Sequence, residues 1–365
     1  MNKEETIVPD AQDEDKDIQD PSELEDEDAP RKIRYEISSY GADYTVDVLV
    51  KRLKAKDICI PPFQRGYVWT LSQASRFIES LLLGLPVPGI FLFKNPDTQK
   101  LYVIDGQQRL KTIQFFSEGV LRDKAFKLVG VTEELLGRTY GTLVDSDRRR
   151  LDDAIIHATI VRQEKPKDDD SSIYSVFDRL NTGGSILSPQ ELRCCIYDGS
   201  FCRLLKELND NHSWRDLYGA KNSRLRDQEV ILRFFALVYD HANYSRPMKD
   251  FLSQFMARNR NLQTYSDSVL RSTFVTTVEY AVKNLGRKIF RPEGPLNVAV
   301  TDALLVATAL RLQSGPLSDS RSYKSNFERL LNDKGFSAQW KSNTTDDLNV
   351  KNRIALALDA IRDIK

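Results

Sequence analysis

The sequence predicts an α+β protein, with a small mixed α/β domain over residues 31–168 and an all-helical domain over residues 169–365. Three observations carry that expectation. Up to about residue 168, short apolar runs of strand type alternate with helical patterns. Beyond that point helical periodicity repeats and no further strand run interrupts it. Ahead of both, residues 1–30 hold 13 acidic residues against 2 lysines, with Pro9, Pro21 and Pro30 and no aromatic residue, the composition of a disordered tail.

The elements follow in order. Residues 33–38 suit a first strand, and residues 45–55 a helix with Val46, Leu49, Val50 and Leu53 on one face and Thr45 as its cap. Residues 57–60 read as a short strand ended by Pro61 and Pro62. Thr70, Leu71 and Ser72 open an amphipathic helix carrying Phe77, Ile78, Leu81 and Leu82, which stops at Gly84 and Pro86. Strands over residues 89–93 and 101–104 flank Asn95-Pro96-Asp97, a turn signal. A helix follows from about residue 110, and residues 155–161 form another strand. Helical patterns then cover residues 172–180, 189–197, 200–209, 224–240, 247–259, 266–285, 297–312, 320–332 and 346–363. Residues 229–238 are apolar at all but two positions and predict a central, buried helix.

Composition narrows the classes. Apolar residues make up 41% of the 365 and charged residues 29%, ordinary for a soluble protein. No apolar run approaches the roughly 18 residues of a membrane-crossing helix, and the first residues lack the features of a secretory signal. Cys59, Cys194, Cys195 and Cys202 show no disulfide framework, which suits a cytoplasmic location. The formal net charge of zero conceals an asymmetry, since residues 31–365 carry a net +11. That excess suits DNA as a partner, through Arg148, Arg149 and Arg150, through Lys221, Arg224 and Arg226, through Arg258 and Arg260, or through Arg287, Lys288 and Arg291. Each cluster suits a solvated surface equally well. There is no P-loop and no zinc-type spacing of Cys and His, and His157, His212 and His241 are too scattered to suggest a catalytic triad.

Three polar clusters can carry chemistry. The first is Asp105-Gly106-Gln107-Gln108-Arg109, between the strand ending at Ile104 and a helix. A helix N-terminus presents unpaired N–H groups and a positive dipole end, which receive anions. Asp105 can hold a divalent ion such as Mg²⁺ or orient a water, Gln107 or Gln108 can position that water, and Arg109 can pair with phosphate oxygens. Gly106 and Thr112 are placed with the phosphate-binding residues. The alternative is local, with Asp105 capping the helix and Arg109 in a surface ion pair. The second cluster is Pro61-Pro62-Phe63-Gln64-Arg65-Gly66-Tyr67-Val68-Trp69, in which Gln64 and Arg65 can donate to phosphate and Tyr67 offers a flat face, while Trp69 suits packing. The third spans residues 177–193, where Asn181, Thr182, Gly183 and Gly184 form a loop able to turn backbone N–H groups toward an anion. There Ser188, Pro189 and Glu191 write a capping box.

As a set and in this order, the clusters resemble the N-terminal domain of GmrSD-type (type IV) restriction enzymes, a family described as ParB/sulfiredoxin-like in fold. The matching stretches are residues 63–69, residues 80–88, residues 103–110 with the specific Asp-Gly-Gln-Gln-Arg motif, and residues 177–193. The resemblance is clear over roughly residues 35–240 and less specific beyond. It implies binding and hydrolysis of a nucleotide, GTP or ATP, that gates restriction of modified or foreign DNA. It carries Asp105, Gln107, Gln108 and Arg109 over as the hydrolysis motif, with Gln64 and Arg65 as partners across a cleft. Full-length members also hold an HNH-type nuclease with closely spaced histidines, which these three isolated histidines do not supply. The expectation is therefore a nucleoside triphosphatase and DNA-sensing component working with a separate nuclease chain. The alternatives are a non-catalytic DNA- or nucleotide-binding module and a ParB-like nuclease.

Overall fold

A computed structural model describes residues 18–20, 36–60, 67–95, 98–165 and 188–364. The chain forms two compact units, residues 34–187 and residues 1–33 together with 188–365. Strand β1 (Ile18–Gln19) opens the described chain and belongs to the second unit.

The first unit runs β2 (Glu36–Thr45), α1 (Val46–Lys54), β3 (Ile58–Cys59), α2 (Leu71–Leu82), β4 (Ile90–Lys94), β5 (Leu101–Asp105), α3 (Gln107–Glu118), a small hairpin of β6 (Val120–Leu121) and β7 (Lys124–Ala125), α4 (Asp145–Asp153) and β8 (Ile155–Lys165). Its sheet has the order β2-β8-β4-β5-β3. The β2/β8 and β4/β5 pairs are antiparallel, and β8/β4 and β5/β3 are parallel. One face of the sheet, through Ile90, Leu92, Leu101, Val103, Ile156, Ala158 and Ile160, shares a core with Leu49 of α1, Ile78 of α2 and Ile113 of α3. The period-2 alternation of strand side chains puts these residues on one side.

Local chemistry sets the helix starts. Thr45 caps α1 by accepting from the Val48 N–H, and Thr70 and Gln73 form a reciprocal capping box on α2. The first strand covers Glu36–Thr45 and so extends well past the predicted end at residue 38, while residues 33–35 lie outside the described residues. Its pairing with β8 carries the backbone through Gly41 and Asp43, where single-residue preference reads a break. Helix α4 was absent from the expectation because eight of its nine residues are polar, and Leu151 is its only buried residue. Within the Asn95-Pro96-Asp97 turn signal, Pro96 and Asp97 lie outside the described residues, and the Asn95 side chain accepts from the Thr98 N–H at 2.9 Å.

The second unit is helical: α5 (Pro189–Ile196), α6 (Ser200–Leu208), α7 (His212–Tyr218), α8 (Arg226–Asp240), α9 (Met248–Asn259), α10 (Asp267–Leu285), α11 (Val298–Gln313), α12 (Ser320–Leu331), α13 (Lys334–Lys341) and α14 (Asp347–Ile361), with β9 (Leu296–Asn297) before α11. Every residue from Asp227 to Val238 is buried, as the apolar run predicts, and α11 is buried as fully from Val298 to Ala309. The capping box of Ser188 and Glu191 starts α5 as read from the sequence, and Cys194 is a buried thiol on that helix. Helices α7 and α13 were missed because they are short and their caps, Asn211 and Asp333, precede no long apolar stripe. The predicted helix over residues 172–180 lies outside the described residues. Ile18 and Gln19, inside the stretch expected to be a disordered tail, pair in parallel with Leu296 and Asn297. No helix among the described residues is long and apolar enough to cross a membrane.

Candidate functional site

Because β3 and β5 are parallel, their C-terminal ends emerge at the same end of the sheet, where open α/β folds tend to place ligands. The chain leaving β5 forms the Asp105–Arg109 turn. The chain leaving β3 returns at Tyr67, Val68 and Trp69 against the same helix start. Beside the turn the β4/β5 ladder shifts register, with Leu92 facing Val103 but Phe91 facing Asp105, so Ile104 is an extra residue. Bulges of this kind re-aim the side chains that follow them.

Gly106 is the N-cap of α3, in the left-handed region at φ +103°. A Cβ there would overlap Ile90 Cγ2 and lie 2.8 Å from Ile90 Cβ. The position is thus reserved for glycine by backbone conformation and by contact. Asp105 does not cap the helix. Its Oδ2 accepts from Arg109 Nη2 at 2.6 Å, one turn along. The carboxylate side chain is 46% exposed while the guanidinium is 13% exposed, so Arg109 is anchored and Asp105 faces outward.

Gln108 joins two segments. Its Oε1 accepts from the Val68 N–H at 3.1 Å and the Trp69 N–H at 3.4 Å. Thr112, fully buried, donates its hydroxyl hydrogen to the Gln108 carbonyl at 2.7 Å, so in the 2.7 Å contact with Tyr67 the phenol is the donor. The Tyr67 ring stands edge-on to Phe115 at 5.2 Å, and Arg122 Nη2 donates to the Tyr67 carbonyl at 3.1 Å. Burial raises the Tyr67 phenol above its ordinary range. Tyr67, Thr112 and Gln108 therefore brace the loop against the helix. Trp69 packs on Phe77 at 5.5 Å, in keeping with its expected packing role.

Of the residues expected in the site, the structure brings together Tyr67, Asp105, Gly106, Gln107, Gln108, Arg109 and Thr112 on β5, α3 and the facing loop. Gln64, Arg65, Asn181, Thr182, Gly183 and Gly184 lie outside the described residues. Among the described residues no group of three His, Cys, Asp or Glu side chains is placed to hold a metal. Asp105 offers a single outward-facing carboxylate at the turn.

Sequence reasoning missed three groups near this turn. Ile90 sets the floor under Gly106. Lys111, one helical turn after Gln107, is half-buried, and burial lowers its ammonium below the ordinary lysine range. His157, read as isolated, has its Nδ1 2.7 Å from Asp43 Oδ1 across the β2/β8 ladder. Its chain neighbour Ala158 pairs with Ile90, which puts His157 at the same sheet end. Only the helical spacing of Lys111 was visible in the sequence. The other two partnerships depend on strand register.

The basic clusters are partly spent on internal partners. Arg148 pairs with Asp145, Lys221 with Asp210, Arg224 with Glu191 and Arg258 with Asp240, and Arg291 donates to the Leu217 and Tyr218 carbonyls. Arg149 and Arg150 are exposed on α4.

The model of one protein family, described as GmrSD restriction endonuclease, N-terminal domain, matches residues 46–197. No curated protein matches the chain.

Proposed function

Starting from residues 46–197 as a member of the GmrSD restriction endonuclease N-terminal domain family, we propose that this segment binds a nucleoside triphosphate, GTP or ATP, at the Asp105–Arg109 turn and hydrolyses it to control DNA restriction. One observation carries the proposal: an outward-facing carboxylate and an anchored guanidinium meet at the start of α3, beside a strand bulge. A helix start favours the polyphosphate, and a carboxylate there would otherwise repel it. The pair resolves that conflict if Asp105 takes a magnesium ion brought by the nucleotide, which releases Arg109 to the phosphate oxygens.

The roles then divide by geometry. Asp105 receives the cation or orients the attacking water. Gln107, in the first turn of α3, positions that water. Arg109 neutralises charge on the transferred phosphoryl group. Gln108 acts indirectly, by holding residues 67–69 against the helix. DNA, sensed through the +11 excess outside the acidic tail, and a nuclease on a separate chain complete the proposal.

The Asp105–Arg109 contact also favours a second reading, a nucleotide-binding module that does not hydrolyse, because a closed ion pair suffices for a switch that only binds. Phosphate release from ATP, GTP, CTP and UTP with Mg²⁺ separates the two. The first reading expects turnover of one nucleotide, reduced about 100-fold or more in Asp105→Ala and in Gln107→Ala. Saturable binding of a fluorescent nucleotide with no turnover, with or without DNA, selects the second. Absence of both binding and turnover refutes the nucleotide site.

A further inference from the structure

The helical unit contains a buried charge cluster that lies outside the nucleotide proposal. Arg233 of α8 and Arg353 of α14 are 1% and 0% exposed at their side chains, and both reach one buried carboxylate, Asp302 of α11. Arg233 Nη2 donates to Asp302 Oδ2 at 2.6 Å and its Nε to the same oxygen at 3.1 Å, while Arg353 Nη2 stands 3.5 Å away. Arg353 also donates to the Thr344 carbonyl. Among the described residues, two guanidinium groups around this one carboxylate leave one positive charge over. The nearby Glu229 does not cancel it, since that carboxylate pairs with Arg193 at 2.8 Å.

Among the described residues, the balancing negative charge comes from the N-terminal segment. Asp20 Oδ2 lies 3.9 Å from Arg233 Nη1. The residues before it are held as a strand: Ile18 pairs with Leu296 and Gln19 with Asn297, in parallel. The buried Asn297 side chain donates to Gln19 Oε1 at 3.1 Å while its own oxygen caps α11 at Val300. Recognition here has three parts: backbone pairing, a side-chain amide contact and a carboxylate one position beyond. Strand addition combined with charge capture is a general way to bind extended peptides. The cluster is not saturated by this occupant, for Arg353 Nε is buried with no hydrogen-bond partner among the described residues. Burial, and after it the neighbouring Arg233 cation, lowers Arg353 below the usual arginine range, and the charges of Asp302 and Asp20 act against that loss.

We propose that β9, Arg233 and Arg353 form a receptor site for an extended acidic peptide of the form apolar–amide–carboxylate, which Ile18–Asp20 fills within the chain and a matching strand from another protein fills by competition. The segment is covalently attached, so its local concentration is high and a competing strand must displace it. Occupancy by a partner would free Ile18–Asp20 from β9 and Arg233.

The test uses the full chain. A fluorescent peptide of residues 14–24 is titrated into wild type and into an Ile18→Asp/Asp20→Asn double variant whose own segment docks poorly. Saturable binding to the variant at least tenfold tighter than to wild type is expected. The same peptide bearing Asp20→Asn should bind the variant at least tenfold more weakly, and succinate should not compete. Equal binding by the two chains, equal binding by the two peptides, or displacement by succinate overturns the proposal. A second measurement needs only the single Asp20→Asn variant: amide exchange at residues 296–298 should be faster than in wild type, and unchanged exchange there overturns the proposal.

Discussion

Gly106→Ala tests whether the turn at the end of β5 is held by the geometry described. The new Cβ would overlap Ile90 Cγ2 and meet Ile90 Cβ at 2.8 Å, below the separation that carbon atoms tolerate. Ile90 is 0% exposed, in the core beneath α3, and has no outward path. Overpacking of this kind costs about 1–3 kcal/mol. The φ of +103° adds about 1–2 kcal/mol for a residue with a Cβ. The expected loss in the first unit is therefore about 2–5 kcal/mol. Urea-dependent amide exchange on peptides covering residues 101–118 reads that unit apart from the helical one. Ile90→Ala removes the clashing methyls and by itself costs about 2–5 kcal/mol through the cavity it leaves. In the double variant the two losses should fall short of their sum by about 1–3 kcal/mol, because the methyl introduced by Gly106→Ala enters space vacated by Ile90. Additivity within about 0.5 kcal/mol, or a Gly106→Ala loss under about 1 kcal/mol, refutes the claim that contact with Ile90 reserves this position.

Other perturbations read other parts of the molecule. Gln108→Ala removes the shared acceptor of the Val68 and Trp69 amides, at a net cost of about 1 kcal/mol, and should speed exchange at those two amides about fivefold without unfolding α3. Tyr140 donates to both oxygens of Asp152 at 3.0 Å, and burial together with that carboxylate pushes its phenol up to about 12. The unfolded phenol titrates at 10.0, so the native state holds the extra proton between those values and stability falls as pH rises from 10 toward 12. Tyr140→Phe should flatten that part of the pH–stability curve, and an unchanged slope assigns it to other groups. Glu229→Gln removes a counter-charge from the fully buried Arg193 and should cost about 3–5 kcal/mol, measured by urea denaturation; a loss under about 1 kcal/mol would show that its other partners, among them Gln190, Ser253 and the Lys249 carbonyl, suffice to hold that cation.

What was legible in the sequence was local. The helix start at Thr70, the capping box at Ser188 and Glu191, and the Thr45 cap each depend on residues within one turn, and each stands where the residues place it. The apolar run of α8 likewise announces a central helix, because burial on all sides leaves no polar stripe. Partnerships set by strand register were not legible. His157 meets Asp43 across 114 residues of chain, and nothing near either residue signals the other. The docking of Ile18 and Gln19 on Leu296 and Asn297 was hidden for a further reason, since an acidic, aromatic-free stretch carries no apolar pattern to announce a strand.

The Asp105–Arg109 turn shows the same division within five residues, and the division narrows where chemistry can occur. The pairing of Asp105 with Arg109 spans one helical turn, whereas the local alternative read from the sequence was Asp105 as a helix cap and Arg109 in a surface ion pair. The need for glycine at 106 comes from Ile90 on the neighbouring strand, and the use of Gln108 comes from a loop 40 residues earlier. Two of the five residues are thus fixed by scaffold contacts that no motif reading reveals, and a third anchors its neighbour. If the turn hydrolyses a nucleotide, the burden falls on Asp105, Gln107 and Arg109, and loss of activity in Gln108→Ala has to act through the loop. A Gln108→Glu variant separates these roles, because a carboxylate keeps both acceptor contacts to the Val68 and Trp69 amides while losing the carboxamide. Retained turnover in Gln108→Glu together with loss in Gln107→Glu assigns water positioning to Gln107, and the reverse pattern moves it to Gln108.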